Sequence, residues 1–377
     1  MKKILLLLTI VTFFFSSNLK GQITTGSFIH DGVLREYRLF LPTNYQDYES
    51  LPLVFNLHGF GSNALEQDIY SGMNNVADTA KFFVCTPQGY ENSWNVGWLI
   101  GSTKDDVDFI RNLMDTISAQ YNVDSEAIFS TGMSNGGFMS YKLACDLNDR
   151  VRAIASVAGG MEEGESQSCS PESSIPVMQI HGTADDVVLY NGTSLVNIPI
   201  EDMVNQWIGY NECSLEADTL DVPDLDPNDG TTSERIEYND CNGESRVVFY
   251  KVTGGGHTWP GAPINIGVTS HDFDASVEIW RFFRPYTSPL IVSNKKLVSI
   301  SHVDANPNPF DHTLILESKK EDLKSIKIHN AIGQLVYFQT DIDSQKFHLS
   351  TVGFQSGVYF VNIETDEGVA VIKTIKQ

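Results

Sequence analysis

Thr131-Gly132-Met133-Ser134-Asn135-Gly136-Gly137 follows a short apolar run, Ala127 to Ser130, and opens a helix-like stretch that runs to Leu147. A serine flanked two residues away on each side by glycine, between a strand and a helix, reads as a nucleophile elbow. Such a turn forces the serine into a strained backbone, and Gly132 and Gly136 must lack side chains so that neighbouring segments can approach. The hydroxyl then projects above the strand end. Outward from this point, Leu53 to Leu57, Phe82 to Cys85, Ala153 to Val157, Val177 to Ile180 and Val247 to Val252 are further short apolar, β-rich runs. They alternate with helix-like stretches, of which Asp105 to Tyr121, Gly136 to Leu147 and Ala275 to Phe283 are the clearest. Alternation of this kind predicts an α/β domain with a mostly parallel central sheet. Upstream, Asp31-Gly32 stands between two alternating segments and predicts a hairpin.

A serine hydroxyl is a poor nucleophile near neutral pH; it needs an imidazole to take its proton and a carboxylate to hold that imidazole in the right tautomer. Ile180-His181-Gly182-Thr183-Ala184-Asp185-Asp186 follows a buried strand and offers the carboxylate, from either Asp185 or Asp186. Thr253-Gly254-Gly255-Gly256-His257-Thr258-Trp259-Pro260-Gly261 follows another strand and offers the imidazole. Ser, then Asp, then His is the chain order of the α/β-hydrolases. All three lie at carboxyl ends of strands, where open α/β sheets place their sites. His181, before a glycine in a tight turn, reads as a structural histidine. Asp105, Asp106 and Asp108 begin a helix, where carboxylates meet the positive end of the dipole.

Developing charge on a carbonyl oxygen calls for two backbone donors. The backbone amides of Phe60, in Leu57-His58-Gly59-Phe60-Gly61, and of Asn135 are the candidates for this oxyanion hole. His58 has no second ligand at metal spacing and reads as a brace for that loop. Trp94, Trp98 and Trp259 are core aromatics or, for Trp94 and Trp259, walls of a substrate pocket; Trp259 stands two residues from His257. Asp224 to Gly230 departs from a calcium loop in the place of its glycine and in lacking a final Glu, and reads as an acidic surface loop. No metal or organic cofactor is expected.

The 377 residues carry 25 Lys+Arg against 48 Asp+Glu, a formal net charge of -23. Charge of that sign excludes a nucleic-acid partner and disfavours anionic membrane surfaces. Lys2-Lys3, the apolar run Ile4 to Phe15 and small residues up to Gly21 read as a secretory signal peptide over 1–21. That run is too short for a bilayer span. The five cysteines then enter an oxidising compartment. Cys145 with Cys169 and Cys213 with Cys241 are the expected pairs, with Cys85 a buried thiol. After Pro285 the character changes. Residues 22–286 form the expected catalytic domain, 287–305 a Ser/Asn/Pro-containing linker, and 306–377 a small all-β sandwich of short strands. Residues 294–377 hold 9 Lys+Arg and 10 Asp+Glu, so the acidity belongs to the first domain.

Taken together, Asp31-Gly32, Arg35-Glu36-Tyr37, Leu57-His58-Gly59, Gly132 to Gly137, His181 to Asp185 and Gly255 to Gly261 resemble a known family. It is that of the secreted feruloyl and acetylxylan esterases of carbohydrate esterase family one and the polyhydroxybutyrate depolymerases. The resemblance implies a lidless α/β-hydrolase with Ser134 as nucleophile, His257 as general base and acid, and Asp185 rather than Asp186 as its orienting partner. The implied substrate is an ester on plant polysaccharide, feruloyl before acetyl, with a polyester as alternative; a non-catalytic adhesin on a hydrolase scaffold would not need the complete Ser, Asp, His order. The tail resembles the C-terminal sorting domain of type IX secretion through Pro307-Asn308-Pro309-Phe310, Asn330 to Val336, Ser356 to Phe360 and the basic end Lys373 to Lys376. That resemblance implies passage across the outer membrane by the type IX machinery and an extracellular location. A carbohydrate-binding sandwich is the other reading of the tail, and the lack of tryptophan after residue 280 speaks against it.

Overall fold

Leu51–Leu57 is buried at every position, and so are Phe83–Pro87, Ala153–Val157 and Val177–Gly182. Strands apolar on both faces need cover on both faces, and that is the requirement of a parallel sheet between helical layers. The computed structural model, which describes residues 21–290, 302–330, 335–365 and 368–377, meets it. The chain divides into two units, residues 1–291 and 292–377. The expected signal segment falls almost wholly on residues 1–20 and most of the expected linker on 291–301, outside the described residues.

Among its described residues the first unit has ten strands: β1 Gln22–His30, β2 Val33–Leu41, β3 Leu51–Leu57, β4 Phe83–Pro87, β5 Val123–Met133, β6 Ala153–Val157, β7 Val177–Gly182, β8 Ala217–Val222, β9 Thr232–Tyr238 and β10 Val247–Thr253. They form one sheet in the order β1-β2-β4-β3-β5-β6-β7-β10-β9-β8. The central run from β4 to β10 is parallel throughout. An antiparallel hairpin closes each edge. At the first hairpin Asp31 and Gly32 both have positive φ, 47° and 71°, and His30 pairs with Val33. This is the two-residue turn that Asp-Gly favours, since its twist matches that of the strands.

Among the described residues seven α-helices accompany the sheet: α1 Ala64–Ser71, α2 Met73–Ala80, α3 Asp106–Ser118, α4 Asn135–Asp146, α5 Glu163–Ser168, α6 Ile200–Tyr210 and α7 Ala275–Phe283. The pleat sorts the strand residues between two cores. Leu53, Phe55 and Leu57 belong to the same core as Phe109, Leu113 and Ile117 of α3 and Met203 and Trp207 of α6, while Val54 faces the other way, into the core of α2 and α7. Each such apolar side chain contributes about 1.5–3 kcal/mol when fully buried. The acids at the start of α3 are structural. Asp105 caps the helix through Asp108 N, and buried Asp106 meets buried Arg35 at 2.7 Å, whose guanidinium lies over Phe109.

Cys145–Cys169 and Cys213–Cys241 are bonded, and Cys85 is a buried free thiol. Cys213 and Cys241 are 28 residues apart and tie the end of α6 to the segment before β10. Closing a loop of that length restricts the unfolded chain, so replacing both by Ser is expected to cost about 3 kcal/mol. A guanidinium midpoint that does not fall, measured under non-reducing conditions, would contradict this.

The second unit has β11 Val303–Asn306, β12 Thr313–Ser318, β13 Leu323–Asn330, β14 Leu335–Ser344, β15 Lys346–Ser350, β16 Gly357–Thr365 and β17 Gly368–Lys376. A sheet ordered β11-β12-β15 and another ordered β14-β13-β16-β17 share one core, with Leu314 and Leu316 against Ile326, Ile328, Val361 and Ile363. This is the expected small β domain. Among the described residues, no helix is long and apolar enough to cross a membrane.

Candidate active site

The Ser134 backbone has φ 54° and ψ -123°, a strained region for a residue with a side chain. The close approach that requires glycine on either side is measurable. A Cβ on Gly136 would stand 2.1 Å from the carbonyl oxygen of Leu57, and one on Gly132 would stand 2.6 Å from it. Strand β3 therefore presses against the elbow, and Gly59 just beyond it faces the Ser134 side chain. The Ser134 amide donates to Val157 O at 2.9 Å, which pins the turn to β6. Gly136→Ala is accordingly expected to destabilise the protein by about 2–4 kcal/mol. Thermal unfolding of the variant at the wild-type temperature would show the elbow to be looser than described.

His257 Nδ1–H donates to Asp185 Oδ2 at 2.8 Å. Asp185 is buried, and its Oδ1 accepts the Val187 and Val188 amides at 2.9 and 2.8 Å. Neighbouring Asp186 is exposed and takes no part. The two loops meet closely, since a Cβ on Gly182 would stand 2.1 Å from Gly255 O. His257 and Ser134 open onto the same cleft. His181 is wholly buried, bonded at both nitrogens, and burial lowers its pKa.

Phe60, in the loop after β3, lines the same cleft as Ser134, and Asn135 follows Ser134 directly in the chain. Asn135 is the first residue of α4, where a backbone amide has no carbonyl one turn back to bond. One buried residue fastens both loops. Trp94 Nε1–H donates to His58 O at 2.8 Å, and the Trp94 backbone exchanges two hydrogen bonds with the Asn135 side chain. His58 braces its own loop: its Nε2 accepts the Gly89 amide, so its proton is on Nδ1 and goes to Gly59 O. Burial lowers the His58 pKa, in keeping with a neutral ring.

The expectation that Trp94 and Trp259 face a substrate is not met. Both are fully buried, 1% and 0% exposed. Trp259 sits in the core beside α7, its indole N–H donating to Ser276 Oγ and its amide to the Tyr70 hydroxyl. Its size anchors the His257 loop rather than walling a pocket. The cleft, of about 450 Å³, is walled instead by Phe60, Ile69, Tyr70, Met133, Ile264 and Ile266. Of these, only Phe60 stands out in the sequence. Ile69 and Tyr70 lie on α1, whose sequence Ala-Leu-Glu-Gln-Asp-Ile-Tyr-Ser has no clear apolar stripe. Ile264 and Ile266 are half-exposed in the loop after Trp259, and two bare isoleucines just beyond the candidate histidine were the signal available.

Among the described residues no group of three or more His, Cys, Asp or Glu side chains is placed to hold a metal ion. In the acidic loop, the Asp229 carboxylate is occupied by Thr231 and by the His271 amide. The whole arrangement supplies a strained hydroxyl, an oriented imidazole and a largely apolar cleft, the parts needed for acyl transfer.

Comparison with known proteins agrees with this chemistry. Residues 35–200 match the family described as esterase PHB depolymerase, and residues 305–377 match the secretion system C-terminal sorting domain. Feruloyl esterase C of Emericella nidulans is 30% identical over 66% of this chain and 83% of its own. Feruloyl esterase D of Neurospora crassa is 28% identical over 70% of this chain and 85% of its own. The acetyl xylan esterase of Aspergillus awamori superposes with a TM-score of 0.52 at 16% identity, covering 71% of this chain and 100% of that one, a likeness of fold.

Proposed function

The chain belongs to the esterase family that holds the polyhydroxybutyrate depolymerases and the feruloyl esterases, and within it we propose a secreted feruloyl esterase acting on plant polysaccharide through an acyl-enzyme on Ser134. The protein is a carboxylic ester hydrolase and is secreted, carrying a sorting domain at its C-terminal end. Its proposed partner in export is the type IX machinery that such tails serve.

In the proposed reaction His257 Nε2 takes the Ser134 proton as Oγ attacks the ester carbonyl. Asp185 holds the other nitrogen protonated and stabilises the imidazolium that forms. The amides of Phe60 and Asn135 receive the oxyanion. The same proton then goes to the departing alcohol, and a water repeats the sequence to free the acid and restore Ser134.

The observation that carries the feruloyl reading is the cleft. A cavity of about 450 Å³ with two aromatic rings and three isoleucines at its walls offers far more apolar contact than an acetyl group can use. The match to the depolymerase family favours, as a second reading, a polyester with short hydroxyacyl units. The test is chromatography of the acids released from feruloylated, acetylated arabinoxylan, with Ser134→Ala as control. Ferulate released by the wild type alone is the expected result. Acetate without ferulate, or no acid at all from the xylan but hydroxybutyrate from the polyester, would overturn the feruloyl assignment.

A further inference from the structure

Behind the catalytic carboxylate lies a buried polar chain that the reaction as described does not use. We propose that Gln179 and His181 are positioning residues for Asp185: Gln179 holds His181 neutral with its proton on Nε2, so that the Asp185 charge is reserved for His257. The proposal rests on the Ser134, His257, Asp185 assignment above.

The protonation pattern follows from the partners. Gln179, wholly buried, places its Nε2 3.0 Å from Gly159 O and 2.9 Å from His181 Nδ1. A carbonyl oxygen can only accept, so the nitrogen of the Gln179 amide must face Gly159 and, with it, His181. Its Oε1 then accepts the Tyr141 hydroxyl at 2.9 Å, a contact compatible with the same orientation. His181 Nδ1 must then be the lone-pair side. The remaining ring nitrogen, Nε2, lies 2.9 Å from Val188 O, again an acceptor only, and so carries the hydrogen. Both ends of the ring thus impose one tautomer.

That matters because His181 Nε2 lies 3.5 Å from Asp185 Oδ2, the oxygen that accepts from His257. A cationic His181 there would neutralise the carboxylate that must stabilise the His257 imidazolium. A second proton, however, would have to sit on Nδ1, directly against the Gln179 NH₂. Burial works in the same direction, lowering the His181 pKa. The other groups facing this imidazole leave the pattern intact. Tyr190 presents its ring at 6.1 Å, and Lys251, paired with His181 across to β10, is engaged by Glu201 at 2.9 Å. His257 faces it from the loop after β10.

Gln179→Met keeps the volume and removes the amide, freeing His181 Nδ1 to take a proton. The kcat of Gln179→Met relative to wild type is therefore expected to be severalfold lower at about pH 5.5 and restored by about pH 8.5, with KM unchanged throughout. A loss equal at all pH values, or no loss at all, would overturn the proposal. A second measurement needs no variant. In ¹⁵N NMR of the wild-type protein, His181 should show one pyridine-like and one pyrrole-like nitrogen, unchanged between about pH 5 and 8. A His181 signal that titrates across this range would contradict it. Ser134→Ala separates the two levels of the account: if that variant still turns over, the site assignment itself fails, whereas an inactive Ser134→Ala beside a pH-indifferent Gln179→Met sinks only this inference.

Discussion

Ser134→Ala is expected to lower kcat on ester substrates by about 10⁵–10⁶-fold while leaving the unfolding midpoint within experimental error of wild type. Both halves of that expectation come from the site. The hydroxyl caps no helix amide, so its removal takes away no bond that holds the turn. What remains, the loop of Phe60, the first amide of α4 and the cleft, is left to bind substrate without forming a covalent intermediate. Residual turnover above that level, with the fold intact, would show that another group attacks the carbonyl.

Asp185→Asn has the next largest expected effect, a fall in kcat of about 10⁴-fold with little change in KM. The structure fixes which way the new amide would point. Oδ1 accepts two backbone amides, from Val187 and Val188, so this side must stay an oxygen. The Asn NH₂ then takes the place of Oδ2 and donates to His257 Nδ1. The imidazole proton is pushed to Nε2, and the nitrogen that should receive the serine proton is already occupied. Asp186→Asn, one residue on and exposed, is the control and should retain wild-type rates. Equal losses from the two variants would contradict the assignment of Asp185.

How much of this was legible beforehand differs from part to part. Ala275–Phe283 is the helix expected, and Ala153–Val157 the strand expected, because buried apolar runs with clear period leave little choice. The Asp31-Gly32 hairpin was readable for a different reason, a turn type that few other dipeptides satisfy. By contrast β8, Ala-Asp-Thr-Leu-Asp-Val, is exposed along nearly its whole length and has no apolar face to betray it. It is an edge strand whose Asp218 and Asp221 discourage pairing with another chain. In the site, spacing singled out Ser134, Asp185 and His257, which the fold brings together at one cleft, since glycines and charged groups at strand ends have few other uses there. The cleft walls were misjudged because tryptophan near a catalytic loop serves packing as readily as contact. At Trp94 and Trp259 the large ring was spent on holding loops, and isoleucines from α1 and the loop after Trp259 took the exposed positions.

The central claim, that Ser134 is a nucleophile driven by His257 and Asp185, is tested most directly by reaction with a phosphonate ester followed by intact-mass measurement and peptide mapping. The account predicts one adduct per chain, on the peptide carrying Ser134, absent from Ser134→Ala and formed far more slowly by Asp185→Asn. An adduct on another residue, or stoichiometric labelling of Ser134→Ala, would contradict it.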